Sequence, residues 1–246
     1  MEHQFFLQRA TKIMSNSASI AVYEKDFQLK AQGRKGILHP SEDLIRLMVR
    51  GQIAAKQDSE AALDYGVGDG RHIGYLNSLG YRVTGTDVAP SSLEVSNKLH
   101  AGNDKFTGVY LDDPTALPFA DGTFSVVLAW ETIHWLGSPD KWLSGMHELI
   151  RVMAPTGVLL LTMPTENHYL KRYSLEVDKS TYHCTTAFRT DCVFYSPNLF
   201  TLRHLFEKEL GLTVAQTLRY EYGSTSTEPS LDERMSFYGF CLTRAR

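Results

Sequence analysis

From residue 58 to residue 163, short apolar runs alternate with longer stretches whose apolar residues recur every three or four positions. That alternation predicts strand–helix–strand units and a parallel sheet. AALDY at 61–65 predicts a first strand, and GRHIGYLNSLG a helix carrying Ile73, Leu76 and Leu79 on one side and ending at Gly80. Residues 81–87 predict a second strand, SSLEVSNKLH after Pro90 a second helix, and residues 106–111 a third strand. FSVVLAW at 124–130 is almost wholly apolar, as a central strand covered on both faces must be. A helix after Pro139 carries Trp142, Leu143, Met146, Leu149 and Ile150, and a fifth strand spans 157–163. A helix over 199–210 and strands over 212–222 and 237–242 bring the predicted sheet to seven strands.

The flanking segments carry weaker patterns. Residues before 58 read as mostly helical, with Pro40 near a helix start and acids in the first turn of SEDLIRLMVR. Between Pro164 and Pro197 the pattern is irregular and rich in Tyr, His, Thr and Arg, which suits an excursion over a site more than a core element.

Composition narrows the function classes. The 246 residues are 43% hydrophobic and 22% charged, as in an ordinary folded chain. With 25 Lys and Arg against 28 Asp and Glu, the net charge is −3 and there is no global positive field, so nucleic acid is not an expected partner. No apolar run approaches the ~20 residues of a membrane helix, and no membrane partner is expected. The opening MEHQFFLQRATK lacks the pattern of a secretory signal, so a cytoplasmic location is expected. Three cysteines, Cys184, Cys192 and Cys241, show no CxxC spacing, and neither disulfides nor a metal site is expected.

The chemistry concentrates in ALDYGVGDGRH. Asp64 lies near the strand end, and Gly66, Gly68 and Gly70 fill the turn before a helix, where glycines admit positive φ and let backbone N–H groups approach a nucleotide-like ligand. A dinucleotide loop requires G-x-G-x-x-G, but Arg71 stands at the third glycine position. Asp64 would repel a pyrophosphate and tolerate a cationic sulfonium, which favours S-adenosylmethionine over NAD. Asp87 ends the second strand, where a carboxylate accepts from ribose hydroxyls, and Asp113 in the later loop is either an adenine contact or a solvated loop acid.

Taken in order, LDYGVGDGRH, YRVTGTDVAPSSL, DDPTALPFADGTFSVVLAW, IHWL and ELIRVMAPTGVLLLTMP resemble the class I S-adenosylmethionine-dependent methyltransferases over residues 58–163. The resemblance implies an α/β, Rossmann-like, mostly parallel seven-stranded sheet flanked by helices, with the last strand antiparallel. It implies a single domain made of an N-terminal helical lid (1–57), a cofactor core (58–163), a substrate-side insertion after strand 5 (164–197) and a C-terminal part (198–246). It places Asp64, Tyr65 and Gly66 to Gly70 around the methionine end of the cofactor, Asp87 and Val88 at the ribose, Asp113 near the adenine, and Trp130 and Glu131 beside the amino-acid end and the methyl group. Asp69 departs from the small or neutral residue common in relatives and is expected to face solvent.

Methyl transfer is an in-line displacement with a good leaving group, so aligning the acceptor is the main task of the protein. His134, on the carboxyl side of the fourth strand, is a candidate general base or a packing histidine. Glu131 is a second catalytic candidate, binding either a cationic acceptor or the cofactor ammonium. Tyr23 and His39 in the N-terminal segment, and Arg172, Arg189 and Tyr195 in the insertion, are the substrate-facing candidates; such a set suits an anionic or sugar-like acceptor. The expected activity is methylation of an oxygen or nitrogen of a small molecule, leaving S-adenosylhomocysteine. The alternative is a non-catalytic module or partner subunit that holds the cofactor or its product. Oligomeric state is not readable from the sequence.

Overall fold

The computed structural model describes residues 16–33, 39–55, 60–184, 192–223 and 234–245. Five parallel strands come first: β1 (Ala61–Tyr65), β2 (Arg82–Asp87), β3 (Phe106–Tyr110), β4 (Phe124–Ala129) and β5 (Met153–Pro164). An insertion contributes β6 (Ser174–Asp178), β7 (Thr181–Cys184) and β8 (Val193–Tyr195), and the chain closes with β9 (Leu212–Tyr222) and β10 (Met235–Arg244). The main sheet runs β3-β2-β1-β4-β5-β10-β9, with β10 antiparallel to both its neighbours. This is the seven-stranded Rossmann-like sheet with an antiparallel last strand that the sequence implied.

Strand burial follows sheet position. Every residue of β4 except Ser125 is buried, because helices cover both faces of a central parallel strand. On β1 and β4, Leu63 and Val127 join the cluster on one face, while Ala62, Val126 and Leu128 join the cluster on the other. The edge strand β9 alternates buried and exposed positions, as an edge with one wet face does.

Helices α1 (Asn16–Ala31), α2 (Glu42–Arg50), α3 (Ile73–Ser78) and α4 (Pro90–Leu99) precede β3, and α5 (Pro139–Val152) joins β4 to β5. The α5 stripe of Trp142, Met146, Leu149 and Val152 is buried at the spacing expected of a core-facing helix. Its start is set by Ser138, whose hydroxyl accepts from Lys141 N, followed by Pro139 at the first helical position. In α2, Leu44, Leu47 and Met48 form the buried face. The helix predicted over 199–210 is α7 (Leu199–His204) continued by a π turn over Leu205–Glu209.

The insertion is more regular than its composition suggests. It holds a short helix, α6 (Tyr169–Arg172), and the three-stranded antiparallel sheet β6-β7-β8. Its own small core comprises Leu170, Cys184, Cys192 and Phe194, packed against Val22 of α1 and Trp135. The polar and aromatic alternation that hides these strands in the sequence belongs to a sheet too small to bury both faces.

β1 lies between β2 and β4, so the chain leaves it in one direction across the sheet and returns in the other. In open α/β sheets, ligands bind beyond the strand carboxyl ends at this reversal. Asp64 is level with Gly85 and Leu128 across the two ladders, so the ends of β1, β2 and β4 reach one mouth together.

Candidate active site

The turn after β1 is shaped by its glycines. Gly66, Gly68 and Gly70 have φ of 75°, 54° and 76°, which side chains rarely adopt. A Cβ on Gly66 would collide with Thr132 Oγ1, so Gly66 lets the loops after β1 and β4 touch. Gly68 has instead the Phe27 ring of α1 at 3.4 Å from its virtual Cβ.

Asp87 ties this loop to the next helix. Its Oδ2 accepts from Gly68 N at 3.0 Å and Ser92 Oγ at 2.7 Å, and its Oδ1 accepts from Ala89 N at 3.0 Å. Burial pushes its carboxyl upward, opposed by these hydrogen bonds. Asp87 therefore both frames the loop and lines the cavity.

That cavity, of about 550 Å³, lies where the strand ends converge. Tyr65, Gly66, Gly68, Asp87, Val88, Trp130, Glu131 and Tyr23 line it. Tyr65 donates from its hydroxyl to Pro114 O at 2.8 Å, fixing the loop after β3 against the end of β1. That loop is also clamped by Arg151, which donates to Phe119 O at 2.7 Å and Leu117 O at 2.9 Å while pairing with Glu148 at 2.7 Å.

Two polar atoms beneath the glycine loop lack partners. Asp64 is buried and its Oδ2 has no hydrogen bond; His72 Nδ1 is 3.7 Å from it, and His72 Nε2 is likewise unpartnered. His72 lines the cavity. Buried polar atoms are rarely left unsatisfied, so these two fit a site that takes a polar ligand.

Glu131 sits at φ 58°, a left-handed conformation costly for a side chain, and its N–H donates to Thr162 Oγ1 at 2.7 Å. Its carboxylate accepts from Arg71 Nη2 at 3.2 Å, Tyr220 OH at 3.1 Å and Tyr222 OH at 3.2 Å. A carboxylate offers about four acceptor positions, so these donors engage nearly all of them. Burial and the Glu131 charge push both tyrosines well up, keeping their hydroxyls protonated as donors.

Several expected positions fall elsewhere. His134, on the turn Ile133–Leu136, is 1% exposed, packs against Trp135, Phe194 and Phe237, and lies outside the cavity lining. Asp113 is exposed, and its Oδ1 accepts from Thr115 N at 2.8 Å and Thr115 Oγ1 at 2.7 Å, which lowers its carboxyl. It caps its own turn, and Leu111 and Pro114 face the cavity in its place. Tyr195 is buried against Trp142 with ring centroids 5.7 Å apart. His39 and Arg172 are exposed and outside the lining, Asp64 and Gly70 are buried and also outside it, and Arg189 falls outside the described residues.

The cavity also recruits residues the sequence did not single out. Ser19, Ile20, Phe27 and Lys30 come from α1, Thr132 and Trp135 from the turn after β4, and Tyr222 and Met235 from the β9–β10 ends. Asp69 does not face solvent: it is 8% exposed and held by Lys30 Nζ at 2.9 Å. The helical spacing of Phe27 and Lys30 on α1 was a usable signal, whereas nothing local marks Tyr222.

Residues 63–161 match the family model described as a methyltransferase domain. The chain is 32% identical over 109 residues to an uncharacterised methyltransferase, YodH, of Bacillus subtilis, covering 44% of this chain and 45% of that one. It is 30% identical over 118 residues to the 18S rRNA (guanine-N(7))-methyltransferase bud23 of Schizosaccharomyces pombe, covering 48% of this chain and 42% of that one. The chain thus spans less than half the length of these curated relatives. Among solved structures, the Burkholderia thailandensis 1,6-didemethyltoxoflavin-N1-methyltransferase, bound to 1,6-didemethyltoxoflavin and S-adenosylhomocysteine, aligns with a TM-score of 0.61. Its identity is 14%, over 94% of this chain and 91% of that one. Residues 63–161 are thus similar in sequence to methyltransferase domains, and the fold is that of the solved methyltransferase it aligns with.

Proposed function

We propose that the protein transfers a methyl group from S-adenosylmethionine to an oxygen or nitrogen of a small molecule. The observation that carries this reading is the joint between Asp87 and the glycine loop at a cavity beyond the strand ends, with buried polar atoms on Asp64 and His72 that lack hydrogen-bond partners beside the loop. Bound S-adenosylmethionine supplies a methyl group activated by a sulfonium leaving group. Asp87 and Val88 hold the ribose side, the Gly66–Gly68 backbone and Asp64 the amino-acid side, and Leu111 and Pro114 the adenine side.

The protein's work is positioning and exclusion of water. Phe27 and Lys30 of α1 pack over the glycine loop and cover that side of the cavity. Glu131 acts as a positioning residue, since its oxygens are engaged by Arg71, Tyr220 and Tyr222, and no base is assigned to His134. An acceptor that loses its proton to solvent or arrives ionised needs none.

A small molecule is favoured over nucleic acid by the net charge of −3 and by the pairing of the cavity cations Lys30 and Arg71 with Asp69 and Glu131. No helix among the described residues is long and apolar enough to cross a membrane. The test is incubation of the purified chain with methyl-labelled S-adenosylmethionine and two acceptor pools, a small-metabolite extract and total RNA. Label in small products supports the reading. Label in RNA alone, or cofactor binding with label in neither pool, overturns it in favour of a nucleic-acid enzyme or a binding module respectively.

A further inference from the structure

We infer that the methyl acceptor is a flat conjugated ring without a full negative charge, recognised by stacking on Tyr222; this deepens the reading above and rests on it. Trp130, Tyr220 and Tyr222 form a column of nearly parallel rings. Trp130 and Tyr220 are 5.9 Å apart at 9°, and Tyr220 and Tyr222 are 6.2 Å apart at 8°. Near-parallel planes at these centroid separations are offset stacks, the arrangement aromatic rings favour. Tyr220 and Tyr222 share a face of β9 because they are two residues apart, and Phe237 of β10 backs Tyr220 at 5.5 Å.

The column is graded in exposure. Trp130 is 4% and Tyr220 7% exposed, whereas Tyr222 is 39% exposed and lines the cavity. The last ring is also fixed in place, since its hydroxyl donates to Glu131 at 3.2 Å. A ring held by a hydrogen bond at one end and a stack on one side is a preorganised platform for a further planar group. Elsewhere in the lining, Tyr23 and Trp135 meet edge to face at 5.4 Å and 71°, adding aromatic edges that suit the rim of such a group.

Charge argues the same way. The lining cations Lys30 and Arg71 are each engaged by a carboxylate, so a phosphate or carboxylate acceptor must compete with Asp69 or Glu131 for them. Arg172, the arginine expected to bind an anion, lies outside the lining.

The test is calorimetric titration of the full chain, saturated with S-adenosylhomocysteine, with three probes of one carbon skeleton: 1-naphthol, its fully saturated analogue decahydro-1-naphthol, and 1-naphthyl phosphate. Wild type is expected to bind 1-naphthol at least tenfold tighter than either of the others. Tyr222→Phe keeps that preference, and Tyr222→Leu, shown to fold by its cooperative thermal unfolding, abolishes it. Equal binding of the saturated alcohol, tighter binding of the phosphate, no binding of any probe, or a preference that survives in Tyr222→Leu overturns the inference. If S-adenosylhomocysteine itself fails to bind wild type, the functional reading falls and this inference with it. If it binds and the aromatic preference is missing, only this inference falls.

Discussion

Lys30 Nζ lies 2.9 Å from Asp69 Oδ1, joining the N-terminal helix to the middle of the glycine loop across 39 residues of sequence. The contact is reinforced nearby, where Ser91 N donates to Glu24 Oε2 at 3.2 Å and Ser91 Oγ to the Glu24 carbonyl at 3.1 Å. Helix α1 is thus tied both to the loop and to the start of α4. Opening the cofactor side of the cavity requires these bonds to break.

Lys30→Met is therefore expected to loosen this cover. The side chains of the pair are only 18% and 7% exposed, so removing the lysine takes a close positive charge from a nearly buried carboxylate and costs about 1–3 kcal/mol, less than a fully buried pair. S-adenosylhomocysteine should dissociate several-fold faster, measured by stopped-flow fluorescence. The double variant Lys30→Met/Asp69→Asn should regain part of the lost stability in urea unfolding, since it removes the nearly buried negative charge as well.

The two leading glycines should separate stability from ligand binding. Gly66→Ala drives a methyl into Thr132 at positive φ and is expected to destabilise the fold by about 1–3 kcal/mol. Gly68→Ala meets only the Phe27 ring at ordinary contact distance, so its stability cost should be the smaller one, while its methyl intrudes on the cavity. Thermal unfolding and calorimetry on both variants test this: a Gly68→Ala protein that binds S-adenosylhomocysteine like wild type contradicts the assignment of that loop.

His168 should impose an acid limb on stability. It is 0% exposed, its Nδ1 accepts from Leu170 N at 3.1 Å, and burial, with a smaller contribution from Lys171, lowers its imidazole to about 3. An unfolded histidine titrates near ~6.5. Between those values the unfolded chain binds the proton and the folded chain does not, so stability rises with pH across that window and is lost as pH falls. The slope from this group alone approaches about 1.4 kcal/mol per pH unit. Urea unfolding between about pH 4 and 7 should show a shallower dependence in His168→Asn than in wild type.

His134→Gln distinguishes packing from catalysis. A buried imidazole ringed by Trp135, Phe194 and Phe237 is expected to cost about 1–3 kcal/mol of stability when replaced. The pH profile of kcat/KM, measured on the folded fraction with a competent acceptor, should keep the wild-type shape. Loss of one ionising limb would return His134 to the chemistry.

Much of this was legible in the sequence, and the reasons are physical. β1 and β4 announce themselves because buried central strands need nearly continuous apolar runs, broken here only by Asp64 and Ser125, and the glycine loop because a tight turn under a ligand admits few other residues. Asp87 and Trp130 follow from their fixed offsets past strand ends. Three features were not legible. His134 looks catalytic by position, yet which way a short turn rotates a side chain is decided by packing with Phe194 and Phe237, far along the chain. Asp113 could point inward or cap its own turn, and Thr115 two residues on satisfied it locally. Tyr222 reaches the cavity only because β9 pairs with β10, which places it 91 residues from Glu131 in sequence and within hydrogen-bond reach in space.

The most direct test of the central claim is calorimetry of the purified chain against S-adenosylhomocysteine and NADH, paired with thermal unfolding in their presence. The account predicts one molecule of S-adenosylhomocysteine per chain, stabilising the fold by about 2.7 kcal/mol at a hundredfold excess over Kd. In Asp87→Ala that affinity should fall at least tenfold, and NADH should give no shift. Binding of NADH without S-adenosylhomocysteine, or an Asp87→Ala variant with undiminished affinity, would contradict it.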